Sequence, residues 1–200
     1  MNLPLHPRYL EIDTAHFRRQ FEQAKPFPYL ALKDFLNEDF AQKVLQALQQ
    51  QEFEHQESDL YSFGQTKDLA LLSDPVLKKF HELLSSQAFK DHMMNLTGLS
   101  LKGGVDCSGF GYRSKDYLLP HDDRADTRKL AYTFNLTRDF SKKDGGALEF
   151  FSDATTVVSL PPVFNTLVIF IVEEGKTIHQ VSEVVGDGER YALSGWFHDR

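Results

Sequence analysis

The sequence predicts a mainly β protein with flanking helices: a double-stranded β-helix (jelly roll) core with N-terminal α-helices packed on one of its faces. Two observations predict it. Apolar residues recur at helical spacing through much of the first hundred residues, and after Gly103-Gly104 the period changes from about 3.6 to about 2. Eight short β-rich runs then follow, separated by turn residues, a pattern that suits a two-sheet jelly roll better than alternating strands and helices. One domain over 1–200 is expected, with a mostly helical layer in 1–100 and the jelly-roll core in 101–200. At 200 residues, 41% hydrophobic, the chain is long enough to bury a core without disulfides or a structural metal.

Along the chain, Thr14 precedes an amphipathic stretch with Phe17, Phe21 and Ala24 on one side, ending at Lys25-Pro26. Residues 26–36 read as a short strand. Asn37 caps a helix carrying Phe40, Ala41, Val44, Leu45 and Leu48 at helical spacing. The polar segment 49–60 reads as a loop. Ser73-Asp74-Pro75 combines a cap with proline at the first helical position, and another helix over 87–97 stops at Gly98. The β runs are 105–113, 117–122, 129–137, 146–152, 155–160, 166–173, 177–184 and 189–197. Asp144-Gly145-Gly146, Pro161-Pro162, Glu173-Glu174-Gly175 and Gly186-Asp187-Gly188 punctuate them.

The net charge of −7, with no dense Lys/Arg run, argues against nucleic-acid binding. The single cysteine, Cys107, excludes an internal disulfide and a Cys-rich zinc site. The first residues, MNLPLHPRYLEID, lack the basic and apolar regions of a signal peptide. No uncharged run approaches the ~20 residues that span a bilayer. A soluble, cytoplasmic, non-membrane protein is therefore expected.

Chemistry is expected inside the barrel, as in cupin-like folds. On a strand, His121 and Asp123 point to one face while Asp122 points to the other. Such a pair arises readily by chance, and His55-Gln56-Glu57, in the polar segment, reads as solvated surface. A second strand, Lys176 to Val181, sets His179 among apolar and β-branched neighbours. Two imidazoles and one carboxylate from two strands form the facial ligand set of non-haem Fe(II) sites, with open positions for other ligands. Arg190 opens the last strand, and a guanidinium entering an apolar barrel must meet an anion, for which its fork geometry suits a carboxylate.

His121-x-Asp123, the turn and strand Gly145-Gly146-Ala147-Leu148-Glu149-Phe150, the run His179 to Val184, and Arg190 with Ser194-Gly195-Trp196-Phe197 together resemble the 2-oxoglutarate/Fe(II)-dependent oxygenase superfamily. Within it they resemble the prolyl 4-hydroxylase branch, and most the catalytic domain of the ribosomal-protein prolyl hydroxylases and their bacterial relatives. The resemblance spans 105–200, and Pro26-Phe27-Pro28-Tyr29 through Asn37 with the helix after it also fits. It implies that His121, Asp123 and His179 ligate iron, that Arg190 holds the distal carboxylate of 2-oxoglutarate, and that Tyr112 lies near that co-substrate. Asn135 stands where close relatives carry a tyrosine that reaches 2-oxoglutarate, and Ala192 replaces a common serine, so the pocket differs in detail. The second, degenerate jelly-roll domain of the eukaryotic members has no counterpart in these 200 residues.

The activity so implied is hydroxylation of a proline in a protein or peptide substrate. It uses Fe(II), 2-oxoglutarate, O₂ and ascorbate as reductant, and is coupled to decarboxylation of 2-oxoglutarate to succinate. Two alternatives stand beside it: the same chemistry on a small molecule, and a metal-binding jelly roll without turnover. A broad basic or aromatic groove favours a polypeptide, whereas a pocket capped by 50–68 or 113–128 favours a small molecule. Trp196 reads as packing, with Gly195 allowing close backbone approach. Arg113, Lys115, Arg124 and Arg128 read either as a solvated rim or as charges that steer an acidic or ribosomal partner. Asp122 is either a support for a neighbouring ligand or a surface turn carboxylate.

Overall fold

The computed structural model describes residues 3–10, 12–123, 127–140, 142–153 and 155–200. Arg124, one of the expected rim residues, lies outside them. The helices are α1 (Thr14–Gln23), α2 (Glu38–Gln49), α3 (Pro75–Ser85) and α4 (Gln87–Thr97). The strands are β1 (Tyr29–Lys33), β2 (Glu54–Ser58), β3 (Tyr61–Asp68), β4 (Ser108–Tyr112), β5 (Tyr117–His121), β6 (Arg128–Asn135), β7 (Leu148–Ser152), β8 (Thr155–Leu160), β9 (Thr166–Ile171), β10 (His179–Val181) and β11 (Arg190–His198). They form one antiparallel sheet in the order β1-β9-β6-β11-β4-β3-β5-β10-β7-β8, with β2 added against β3. Among the described residues no helix is long and apolar enough to cross a membrane.

Short polar side chains start the helices by taking backbone N–H groups that have no partner in the first turn. Asn37 takes that of Asp39, Asp74 those of Val76 and Leu77, and Ser86 that of Phe89. The cap of α1 is Asp13, one residue before Thr14, accepting from His16.

The sheet is sorted by the period of two. In β6, Leu130, Tyr132 and Phe134 join the helices' Val44, Leu48, Phe80 and Phe89 in the main core, as do Leu167 and Ile169 of β9 and Leu193 and Phe197 of β11. Their alternates face the other way. Ala131, Val168 and Phe170 pack with Leu148 and Phe150 of β7, so the sheet curls until its inner faces meet. The expected helical layer on one outer face is therefore present.

Segment 49–60 differs from the expected loop. Glu54–Ser58 pairs with Tyr61–Asp68 in an antiparallel hairpin. Its first strand sits at the sheet margin with most residues exposed, so no apolar alternation marks it. Backbone pairing to β3 makes the strand. His55 and Glu57 lie on it, 3.7 Å apart and solvated, as a surface pair.

At the centre of β11, Gly195 lies beneath the chain at Asp106, and a Cβ there would run into the Asp106 carbonyl. Gly195→Ala should cost about 2 kcal/mol, as overpacking of tight interiors does. A fall of several degrees in Tm checks this.

Candidate functional site

The antiparallel register sets His121, at the end of β5, directly opposite His179, at the start of β10. Asp123 follows two residues on, and one donor atom from each of the three lies within 4.8 Å of the others. The Nε2 atoms of His121 and His179 are 3.8 and 3.6 Å from the two Asp123 oxygens, and the imidazole centroids are 4.3 Å apart. Each ring is aimed by the same local device. His121 Nδ1 lies 2.9 Å from the Leu119 carbonyl, and His179 Nδ1 lies 2.9 Å from that of Thr177. A carbonyl only accepts, so Nδ1 carries a proton and Nε2 is the ring nitrogen left facing Asp123, free to offer a lone pair to a metal. The donors present, two imidazoles and a carboxylate with no thiolate, fit Fe(II) with further positions free.

Asp123 and His179 are buried, while His121 is 30% exposed at its side chain. Burial pulls His179 below the usual imidazole value; Asp123 opposes this and His121 adds to it. Phe170 closes over His179 with ring centroids 4.7 Å apart.

Arg190 is 2% exposed, and its strand neighbour across the ladder is Tyr112. Its guanidinium lies 4.8 Å from the Tyr112 ring centre, and its Nη2 donates to Asn135 Oδ1 at 3.4 Å. Its Nε has no partner. The nearby carboxylate Glu189 instead accepts from Arg113 Nε at 3.0 Å and from the Tyr191 hydroxyl. Among the described residues this buried cation meets only Tyr112 and a long amide contact, and so is short of an anion. Burial pushes the Tyr112 hydroxyl up to about 12 against the opposing pull of Arg190, so it stays a neutral donor.

His121, Asp123, His179, Arg190 and Tyr112 line one cavity of about 800 Å³. Asn135 touches Arg190 but is not part of that lining. The cavity adds residues that the sequence reading missed or placed elsewhere. Thr133 and Ser194 join their hydroxyls on its wall. Trp196 packs and also lines the cavity, and the Arg128 guanidinium lies 3.5 Å over its ring instead of standing on a solvated rim. Trp196 Nε1 and Arg128 Nε are buried without partners. The strand period was the available signal, because Ala192, Ser194 and Trp196 share the face of Arg190. Arg113 and Lys115 are exposed, as expected.

Residues 107–198 match the family model described as the 2OG-Fe(II) oxygenase superfamily. The chain is 36% identical over 197 residues to a prolyl 3,4-dihydroxylase of Ostreococcus tauri, covering 88% of this chain and 38% of that protein. It spans about a third of the length of the curated relatives it matches. Its fold is similar to a Pseudomonas putida prolyl-4-hydroxylase (TM-score 0.74, 18% identity, 92% of this chain and 99% of that one). It is also similar to a Trichoplax adhaerens prolyl hydroxylase solved with a hypoxia inducible factor peptide fragment (TM-score 0.75, 16% identity, 96% of each chain). Residues 107–198 belong to the 2OG-Fe(II) oxygenase superfamily.

His92 of α4, like His179, is held by burial below the ordinary imidazole value of 6.5. Below that pH the unfolded chain takes up protons that the fold refuses. The stabilising difference is therefore whole above about pH 6.5 and is lost as pH falls through the lower folded values. Urea unfolding of the metal-free protein at about pH 7.5 and about pH 5.5 should give the lower midpoint at the acid pH. His92→Gln should remove part of the difference.

Proposed function

We propose that the chain is an Fe(II)- and 2-oxoglutarate-dependent dioxygenase that hydroxylates a prolyl residue of a polypeptide, with residues 1–200 acting as one catalytic domain. The observation that carries this reading is the pairing, in one cavity, of a His-Asp-His donor set with a buried guanidinium that lacks an anion. His121, Asp123 and His179 would hold the metal, and Arg190 the far carboxylate of 2-oxoglutarate. When bound, iron with 2-oxoglutarate and O₂ supplies the oxidation of a C–H bond, coupled to decarboxylation of 2-oxoglutarate to succinate and CO₂. Ascorbate is the reductant we assign, and the cytoplasm the compartment.

The protein's own part is positioning. The Leu119 and Thr177 carbonyls keep both imidazoles in the tautomer that offers Nε2. Asn135 and the Tyr112 ring steady the guanidinium, and Tyr112, a neutral phenol, can donate to a carboxylate beside it. Phe63, Phe110 and Phe170 keep the cavity wall apolar, which confines the oxidant away from water. The unpaired donors of Arg128 and Trp196 suit an amide carbonyl, a group that every polypeptide brings alongside its target residue. The related prolyl hydroxylases add weight to proline as that residue, and a ribosomal or other translation protein is the substrate class we favour.

A second reading, a small-molecule substrate, draws on one observation: the β2–β3 hairpin walls the cavity with Leu60, Tyr61 and Phe63. Free proline and proline-containing peptides, assayed side by side for succinate release and for a mass gain of one oxygen, separate the two.

Anaerobic titration with Fe(II) and 2-oxoglutarate should produce the visible metal-to-co-substrate charge-transfer band. His179→Ala should abolish it. Arg190→Met should raise the 2-oxoglutarate needed roughly 100-fold, the cost of a lost buried charge-assisted pair. No band in folded, metal-loaded wild type would overturn the oxygenase reading and leave a metal-binding jelly roll. Trp196→Phe removes one donor while keeping most of the ring; it should raise KM for a proline peptide roughly tenfold and leave 2-oxoglutarate affinity unchanged.

A further inference from the structure

Asp122 lies between two of the three donors, and its carboxylate reaches across to the segment that delivers the third. β5 ends at His121, so Asp122 is not held to strand alternation, and it lines the same cavity as Gly175. There its Oδ2 accepts the Gly175 N–H at 2.7 Å, a short charge-assisted bond. Gly175 has φ +69 in the turn before β10, a left-handed conformation that glycine adopts readily. That turn is closed by the Lys176 and Thr177 N–H groups donating to the Glu173 carbonyl at 3.1 and 3.3 Å. Thr177, 1% exposed, exchanges further hydrogen bonds with the Glu173 backbone through its hydroxyl. Its own carbonyl is the group that aims the His179 ring. A continuous chain of contacts thus runs from Asp122 through the turn and Thr177 to His179.

The ladder between β5 and β10 cannot set this spacing alone. His179 pairs with His121, Val181 pairs with Leu118, and the register shifts between them. The irregularity falls where the donor geometry matters most, and His179–His121 is the outermost pair. The Asp122–Gly175 bond ties the two segments just beyond it.

We infer that Asp122 is a positioning residue for the metal site: through the Gly175 N–H it fixes the separation between the His121/Asp123 pair and His179. The inference rests on the metal-site reading proposed above. Groups that orient metal ligands from behind are worth about 10- to 100-fold in metal affinity.

The test is the dissociation constant of Mn(II), a redox-stable probe of the Fe(II) site, read by electron paramagnetic resonance on the full chain without co-substrate. Asp122→Ala should weaken Mn(II) binding 10- to 100-fold, while the metal-free Tm stays within about 2 °C of wild type. Asp122→Asn removes the charge but keeps an oxygen that accepts the Gly175 N–H, so it should bind within about threefold of wild type if position is what matters. Asp122→Ala binding as wild type does would overturn the inference. So would Asp122→Asn falling as far as alanine, which would assign the effect to charge. If wild type itself fails to bind Mn(II), the metal-site reading falls, and this inference with it.

Discussion

Three strands, β9, β6 and β11, are buried on both faces, and the site depends on that constraint. A strand covered on one side only must spend its inward residues on core. Here the helical layer supplies the core, taking Leu167 and Ile169, Leu130, Tyr132 and Phe134, and Leu193 and Phe197. The opposite face is released to carry Thr133, Asn135, Arg190 and Ser194, none of which a sole hydrophobic core could accommodate. The four helices are in this sense the reason the barrel can hold a polar cavity. The tight backbone contact at Gly195 belongs to the same arrangement, since the 105–106 segment seals the outer face of β11.

The strands after residue 103 were legible because their alternation and turn residues agree; His121 and Asp123 were legible from their i, i+2 spacing, His179 from its apolar and β-branched neighbours, and Arg190 from its place at the start of the last strand. The hairpin 54–68 was not. Its first strand faces solvent on most positions, so nothing in its side chains distinguishes it from a loop, and its pairing depends on the adjoining strand Tyr61–Asp68, which sequence period does not reveal. The cavity-facing roles of Arg128 and Trp196 were missed for a different reason. Each has an ordinary role at the level of residue type, a surface cation and a packing aromatic, and only the stack across β6 and β11 turns both toward the cavity. Asn135, singled out as a residue near the co-substrate, contacts Arg190 and does not line the cavity itself.

The two halves of the cavity have complementary electrical deficits. At one end Asp123 is a buried carboxylate faced by the Nε2 atoms of two imidazoles, and among the described residues no Lys or Arg pairs with it. At the other, Arg190 is a buried cation beside neutral Tyr112 and Asn135, and among the described residues no anion pairs with it. In a medium of low dielectric neither deficit is cheap to leave unfilled. A divalent cation at the first end overcompensates the single carboxylate and leaves a positive excess. A monoanion at Arg190 would leave that excess standing, whereas a dicarboxylate long enough to reach both ends meets the excess with one carboxylate and Arg190 with the other, and the cavity sums to neutral. That balance favours a dianionic co-substrate over a monocarboxylate at this site without reference to any relative. It also accounts for Arg over Lys at position 190: a planar fork with fixed donor directions can be held by a ring face and one amide while still presenting donors to a carboxylate.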